Sequence, residues 1–215
     1  MPFRQLTPLD RMFTGVSNAL RTVAAPAAHH SARRNPASEI KDGELSREQK
    51  SHIAGLMRVN HAGEVAAQGL YQGHAAMARD ADIEAQMQRA ADEEIDHLAW
   101  CEQRLEELGA RTSHLSPIWY AGAFAIGAAS GVLGDRWSLG CIAETERQVC
   151  AHLTTHLDRL PIDDHRSRAI VEKMRDEEEQ HGVNAVGAGA AELPAPIRRL
   201  MQLTARVMTN TAYWV

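Results

Sequence analysis

Asp92-Glu93-Glu94-Ile95-Asp96-His97 recurs further along the chain as Asp176-Glu177-Glu178-Glu179-Gln180-His181. Each copy contains Glu-x-x-His, which on a helix sets a carboxylate and an imidazole on one face, about one turn apart. A single Glu-x-x-His carries little information, but the longer Asp-Glu-Glu-x-x-His pattern occurring twice carries much more. Glu64 and Glu146 precede Glu94 and Glu178 by 30 and 32 residues, and the two halves repeat at 82 and 84 residues. The candidate ligand set is therefore Glu64, Glu94, His97, Glu146, Glu178 and His181. Four carboxylates and two imidazoles suit two hard-to-borderline metal ions, and the four negative charges cancel two divalent cations. Zinc in structural sites favours fewer ligands and thiolates, and calcium does not select imidazole. Iron is the first choice and manganese the second. Two such ions ~3.5–4 Å apart would be bridged by carboxylates, with Glu94 and Glu178 the better candidates.

These residues need helices that aim them inward. Around the first copy the apolar stripe runs Ile83, Met87, Ala90, then Leu98, Cys101, Leu105 and Leu108, with Glu94 and His97 on it. Around the second it runs Ile170, Met174, then Ala185 and Ala188, and Glu178 and His181 fill the gap. Glu64 interrupts Ile53, Met57, Asn60, Ala67, Tyr71 and Ala78. Glu146 interrupts Leu139, Ile142, Val149, Leu153 and Leu160. A buried carboxylate must be paired, protonated or metal-bound. Solvated acidic faces account for Asp92, Glu93, Asp176, Glu177 and Glu179 but not for the six. Glu144 rivals Glu146, yet lies about 200° round the helix from the Ile142 stripe. Asp96, Tyr71, His74, His152 and His156 are read either as outer partners that orient ligands or as ordinary packing residues. Four helices are expected, at about 46–79, 81–108, 135–160 and 164–190. Ser46-x-x-Gln49 forms a capping box at the first start. Gly63, in mid-helix, costs roughly 1 kcal/mol against Ala, which points to close approach of a neighbouring helix or of the metal site itself.

The remainder of the chain sets bounds. At 215 residues with net charge −5, the chain is one domain with appendages and no basic surface for nucleic acid. Cys101, Cys141 and Cys150 are too few and scattered for a disulfide framework, which implies a reducing compartment. No secretory h-region is present near the start. Low aromatic content and few β-branched runs indicate an all-α fold. Residues 1–45 form an N-terminal extension and linker, and 46–215 the bundle domain. The extension holds an amphipathic stretch (Leu9, Met12, Phe13, Val16, Leu20) and solvated linker histidines, His29 and His30.

Two segments have lipid-seeking composition. Residues 115–134 contain no charge, four glycines, Pro117, and Trp119-Tyr120 near one end. In length they approach a membrane span, but this make-up fits an interfacial segment better; the alternative is a buried crossover across one end of the bundle. After Pro194 and Pro196, Ile197, Leu200, Leu203 and Val207 alternate with Arg198, Arg199 and Arg206, ending in Tyr213-Trp214. That is a basic amphipathic helix for a membrane surface or partner, or a fifth helix of the bundle.

Arg58-Val-Asn-His-Ala-Gly-Glu64, the two Glu-x-x-His motifs, Glu144-Thr-Glu146 and the Gly/Ala-rich stretch before Gly134-Asp135 resemble the Coq7 family over roughly 47–215. The resemblance implies a ferritin-like four-helix bundle with a di-iron centre and two iron ions, Fe2+ when reduced; the six residues chosen by periodicity also match the ligand pattern of such bundles. It implies a 3-demethoxyubiquinol 3-hydroxylase that inserts one oxygen atom from O2 into a polyprenylated methoxy-benzoquinol. It further implies peripheral binding to membrane lipid and a ubiquinone-biosynthesis protein complex. The expected location is the cytoplasmic side of a bacterial inner membrane, ahead of the mitochondrial inner membrane. The competing readings are a ferritin-like ferroxidase or iron store, another di-iron enzyme such as a peroxidase or desaturase, and a non-catalytic helical partner protein.

Overall fold

The computed structural model describes residues 8–27 and 30–215, with residues 8–14 described by backbone alone. His29 and the side chains of Leu9, Met12 and Phe13 therefore lie outside the described residues. The described residues form seven helices and no strand: α1 (Pro8–Ala24), α2 (Arg47–Met77), α3 (Ala81–Glu107), α4 (Ser116–Leu133), α5 (Asp135–Arg159), α6 (His165–Gly187) and α7 (Ala195–Ala212).

Helices α2, α3, α5 and α6 make the bundle. Short connections fold α2 back on α3 and α5 back on α6, and the two hairpins meet through α3–α6 and α2–α5. Three of the four starts are capped by side chains. The Ser46 hydroxyl accepts from Gln49 N while the Gln49 side chain accepts from Ser46 N, the reciprocal cap expected from sequence. Asp80 caps α3 and Asp164 caps α6. Helix α6 ends at Gly187, so Ala188 falls beyond the inward stripe and is exposed.

The core has two apolar layers. One holds Ile53, Met57, Trp100, Cys101, Leu105, Leu153, Ile170 and Met174; the other holds Ala67, Tyr71, Met87, Leu139, Ile142 and Ala185. Each large aliphatic side chain contributes roughly 1.5–3 kcal/mol on burial. The carboxylates and imidazoles lie between the layers.

Helix α4 does not cross one end of the bundle. It runs lengthwise beside α2, with Tyr120 at Gly69, Phe124 and Gly127 at Gly73, and Gly131 at Met77. Gly69 and Gly73 on α2, and Gly127 and Gly131 on α4, are each spaced i, i+4 and lie along the seam, where Gly73 adjoins Gly127. A Cβ on Gly69, Gly73 or Gly127 would strike a carbonyl oxygen of the other helix. The glycines thus serve backbone-to-backbone approach. The opposite face of α4 carries Ile118, Ile126, Val132 and Leu133, all exposed.

Helix α7 is docked at its C-terminal end. Ala212 is fully buried, and the Tyr213 ring occupies the space that a side chain at Gly55 would need. The Tyr213 hydroxyl lies 2.7 Å from His52 Nδ1, and Arg58 donates to its carbonyl at 2.7 Å. Leu200, Leu203, Val207 and Trp214 remain exposed.

Residues 31–45 have no helix but are tightly held. Ala37 is fully buried in the first core layer. Asn35 donates to Gln103 at 2.8 Å. Asp42 pairs with buried Arg104 at 2.7 Å and accepts from Arg166 N, and Gly43 N donates to the Asp163 carbonyl. His30 is exposed, as expected of a linker histidine.

Candidate metal centre

All six sequence-predicted residues are buried and face one another. Glu64 comes from α2, Glu94 and His97 from α3, Glu146 from α5, and Glu178 and His181 from α6. Two groups have ligand atoms within 4.8 Å of one another: Glu64, Glu94, His97 and Glu178, then Glu146, Glu178 and His181. Glu178 belongs to both.

The two halves mirror each other. His97 Nδ1 lies 2.9 Å from Glu94 and 3.1 Å from Glu178. His181 Nδ1 lies 3.1 Å from Glu178 and 3.3 Å from Glu94. Both Nδ1 atoms therefore face the cluster, and both Nε2 atoms point across to the other helix. His97 Nε2 is 2.8 Å from Glu177, and His181 Nε2 is 2.7 Å from Glu93. Glu93 and Glu177 are thus not merely solvated surface, as their stripe positions suggest. Each leaves the apolar stripe of its own helix and enters the groove beside the opposite histidine. The repeated Asp-Glu-Glu held the signal, because the first Glu is duplicated along with the second.

Of the other residues singled out, Tyr71 donates to Glu146 at 2.7 Å. Asp96 reaches no ligand and instead anchors residues 31–33, accepting from Ser31 Oγ and Ala32 N at 2.8 Å. His74 packs against Ser130, and burial pulls its pKa down to about 4. His152 and His156 pack on each other with ring centroids 3.9 Å apart and planes tilted by 57°, and neither belongs to the ligand groups. Glu144 is buried but turned aside, bound by Arg147 at 2.7 and 2.9 Å and by Gln148; those partners hold it below the usual carboxylate range.

The electrostatics call for positive charge. Burial raises Glu64 and Glu146 well above the ordinary carboxylate value, and neighbouring Glu94 and Glu178 push them further. Burial opposes ionisation of His97, but Glu94 and the other surrounding carboxylates outweigh it and raise the group. His181 is pushed up to about 12 against its burial by Glu178 and Glu94. Glu94 is held well below its ordinary value by the two histidines, despite burial. Protons thus stand where cations would. Glu94 Oε1 and Glu178 Oε1 are buried with no hydrogen-bond partner, and such orphaned acceptors are costly. A donor set of carboxylates and neutral Nδ1 lone pairs, with unpartnered oxygens aimed inward, fits metal ions.

A cavity of about 460 Å³ opens between α3 and α6 and reaches His181 and Tyr71; Met87, Ala90 and Ile142 line it, with Arg89, Glu93 and Asn184 among its polar groups.

The family model of the ubiquinone biosynthesis protein COQ7 matches residues 51–212. The chain is 55% identical over 207 residues to the 3-demethoxyubiquinol 3-hydroxylase of Chromobacterium violaceum, covering 96% of this chain and all of that protein. It is 52% identical to the same-named protein of Pseudomonas paraeruginosa, over 98% and 97% of the two chains. With that of Nitrosococcus oceani it shares 51% identity over the full length of both. The similarity therefore takes in residues 1–45, beyond the 47–215 covered by the motifs. This chain belongs to the COQ7 family of ubiquinone biosynthesis proteins.

Proposed function

We propose that this chain is an O2-dependent 3-demethoxyubiquinol 3-hydroxylase working with two iron ions. One would be held by Glu64, Glu94, His97 and Glu178, the other by Glu146, Glu178 and His181. The observation that carries the reading is the pair of buried ligand groups sharing Glu178, in a chain more than half identical to proteins named for this activity. Bound iron would supply the reductive activation of O2, from which one oxygen atom would pass to the quinol ring.

The residues of the chain account for the rest. Glu177 and Glu93 accept from Nε2–H of His97 and His181, which leaves each Nδ1 lone pair for metal. The Tyr71 hydroxyl fixes one oxygen of Glu146 and so sets which oxygen faces inward. The α3–α6 cavity is of the size of small-molecule sites and mixes apolar side chains (Met87, Ala90, Ile142) with polar ones (Arg89, Glu93, Asn184), and it would admit the methoxy-benzoquinol ring to the His181 side. A ferroxidase, iron store or peroxidase would have no use for the lipid-seeking faces.

The prenyl tail requires access to membrane lipid. The outward face of α4 and the exposed side of α7 support peripheral docking, at the cytoplasmic face of a bacterial inner membrane, where a ubiquinone-biosynthesis complex would assemble. Among the described residues, α4 alone is long and apolar enough to cross a membrane, but its glycine face is occupied by α2. The compared relatives are bacterial.

The test is anaerobic loading with Fe2+, then O2 and a short-chain demethoxyquinol. The expected result is two irons per chain and a product heavier by one oxygen. Active protein containing one zinc and no iron, or iron oxidation without hydroxylated quinol, would overturn the proposal.

A further inference from the structure

The two halves of the centre match in the residues that face inward but not in those that back them. Behind His97, Glu177 is mostly buried and is itself held by two cations: Arg33 Nη1 at 2.5 Å and Lys173 Nζ at 2.8 Å. Behind His181, Glu93 is half exposed, and among the described residues no Lys or Arg pairs with it. The α3–α6 cavity opens on Glu93 and His181.

Arg33 is placed with care. Its Nε pairs with Asp96, its Nη1 with Glu177, and its Nη2 lies 3.4 Å from the Glu93 carbonyl. The guanidinium stacks over the Trp100 ring, 5.1 Å from the centroid, and that ring lies 5.3 Å from the His97 ring. One fork thus ties α3 (Asp96) to α6 (Glu177) across the outside of His97. The segment that carries Arg33 is pinned on both sides, by Ser31 and Ala32 on Asp96 and by Asp42 on Arg104 and Arg166. Arg33 also lies before the part of the chain that the family model matches.

We infer that Arg33 is a positioning residue that makes the two metal positions unequal: it locks Glu177 onto His97, closing that half, and leaves approach of the quinol and O2 to the Glu146–His181 half. This rests on the metal reading above. The forked geometry is specific to guanidinium, since an ammonium cannot bond both carboxylates in one plane. Loss of a group that orients a histidine ligand typically weakens metal binding ~10–100-fold.

The experiment titrates metal-free protein with Co2+, whose visible absorption reports the ligands of each site, and needs no turnover. Wild-type protein should take up two ions in two resolvable steps. Arg33→Gln should weaken one step by ~10–100-fold and leave the other unchanged, and Arg33→Lys should recover part of the loss. Glu177→Gln should reproduce the selective loss, keeping an acceptor for His97 while breaking the ion pair. The double variant should be no weaker than Glu177→Gln alone, because residues that act in series do not add. Asp42→Asn, which loosens the same segment without touching Glu177, should leave both steps intact. Equal weakening of both steps by Arg33→Gln, no weakening, or the same loss from Asp42→Asn would overturn the inference while two-ion uptake by wild type left the metal reading standing. Failure of wild type to bind Co2+ would overturn both. Should Arg33→Gln fail to fold, Arg33→Lys, which keeps the charge and loses the fork, decides: selective weakening of one step supports the inference, and equal or no weakening overturns it.

Discussion

At the scale of single residues, the centre depends on which way a carboxylate turns. Glu146 and Glu144 are two positions apart on α5 and both are buried, yet only Glu146 enters the cluster. Glu144 faces Arg147 and Gln148, which satisfy it completely. Glu146→Gln should therefore lower metal affinity by at least the ~10–100-fold that loss of an outer partner costs, whereas Glu144→Gln should leave metal content near wild type. Metal analysis after dialysis separates the two, and the reverse ranking would place the wrong residue in the site. The helix phase of these residues was legible because an ionisable side chain on an apolar stripe conflicts with its surroundings. Glu93 and Glu177 conflicted with nothing on their own helices, and the histidines that need them are 88 and 80 residues away. Arg33 was illegible for the same reason, its partner Glu177 being 144 residues distant.

At the scale of elements, the glycines decide how close two helices come. The sequence suggested a close neighbour at Gly63, but a Cβ there would meet nothing within 4 Å. The close approach occurs instead where Gly69 and Gly73 face α4, and Gly127 fits against the Leu70 carbonyl. One substitution should then have opposite signs at two sites. Gly63→Ala should stabilise by about 0.4–1 kcal/mol, since a helical glycine loses more freedom on folding than alanine. Gly127→Ala should destabilise by about 1–3 kcal/mol, because backbone cannot yield as a side chain can. Urea unfolding of both variants measures this, and a gain from Gly127→Ala would mean that α4 is loosely held. Composition alone marked 115–134 as uncharged and Gly-rich. It could not say which glycines met protein and which met solvent, because that depends on the partner's i, i+4 pair. The bundle helices were legible from their 3.6-residue period and caps, whereas the segment around Ala37 has no period to read.

The molecule as a whole trades protons for metal and leaves the outer apolar faces of α4 and α7 uncovered. In the metal-free chain the folded values of Glu64, Glu146, His97 and His181 lie above their unfolded ones. The folded state therefore binds more protons, and the stability these groups contribute is complete below the unfolded values and lost as pH rises. For His181 that window runs from 6.5 upward to about 12. Buried His74, His152 and His156 are shifted the opposite way but are neutral in both states above the ordinary histidine range, so metal-free protein should melt at lower temperature as pH rises from ~7.5 to ~9. Metal affinity should climb over the same range, since the ions displace those protons. Melting curves with and without chelator test this, and a metal-free protein that gains stability with pH would contradict it. The uncovered face of α4 bears on the proposed docking at a membrane, since each CH₂ of a prenyl tail kept in lipid is worth roughly 0.8 kcal/mol. On α4, Phe124 is partly buried against Tyr120 and the neighbouring core, so it belongs to the packing surface. Ile126 and Val132 point outward, 45% and 62% exposed. Ile126→Asp with Val132→Asp should weaken binding to liposomes and slow turnover of a long-tailed quinol, while a tail-less analogue is hydroxylated nearly as fast as by wild type. Phe124→Asp should instead impair both substrates by damaging the packing of α4 on α2. If the outward pair harms both substrates equally, α4 is a structural cover, and the proposed lipid contact would fall to the exposed side of α7, where Leu200 and Leu203 are the residues to change.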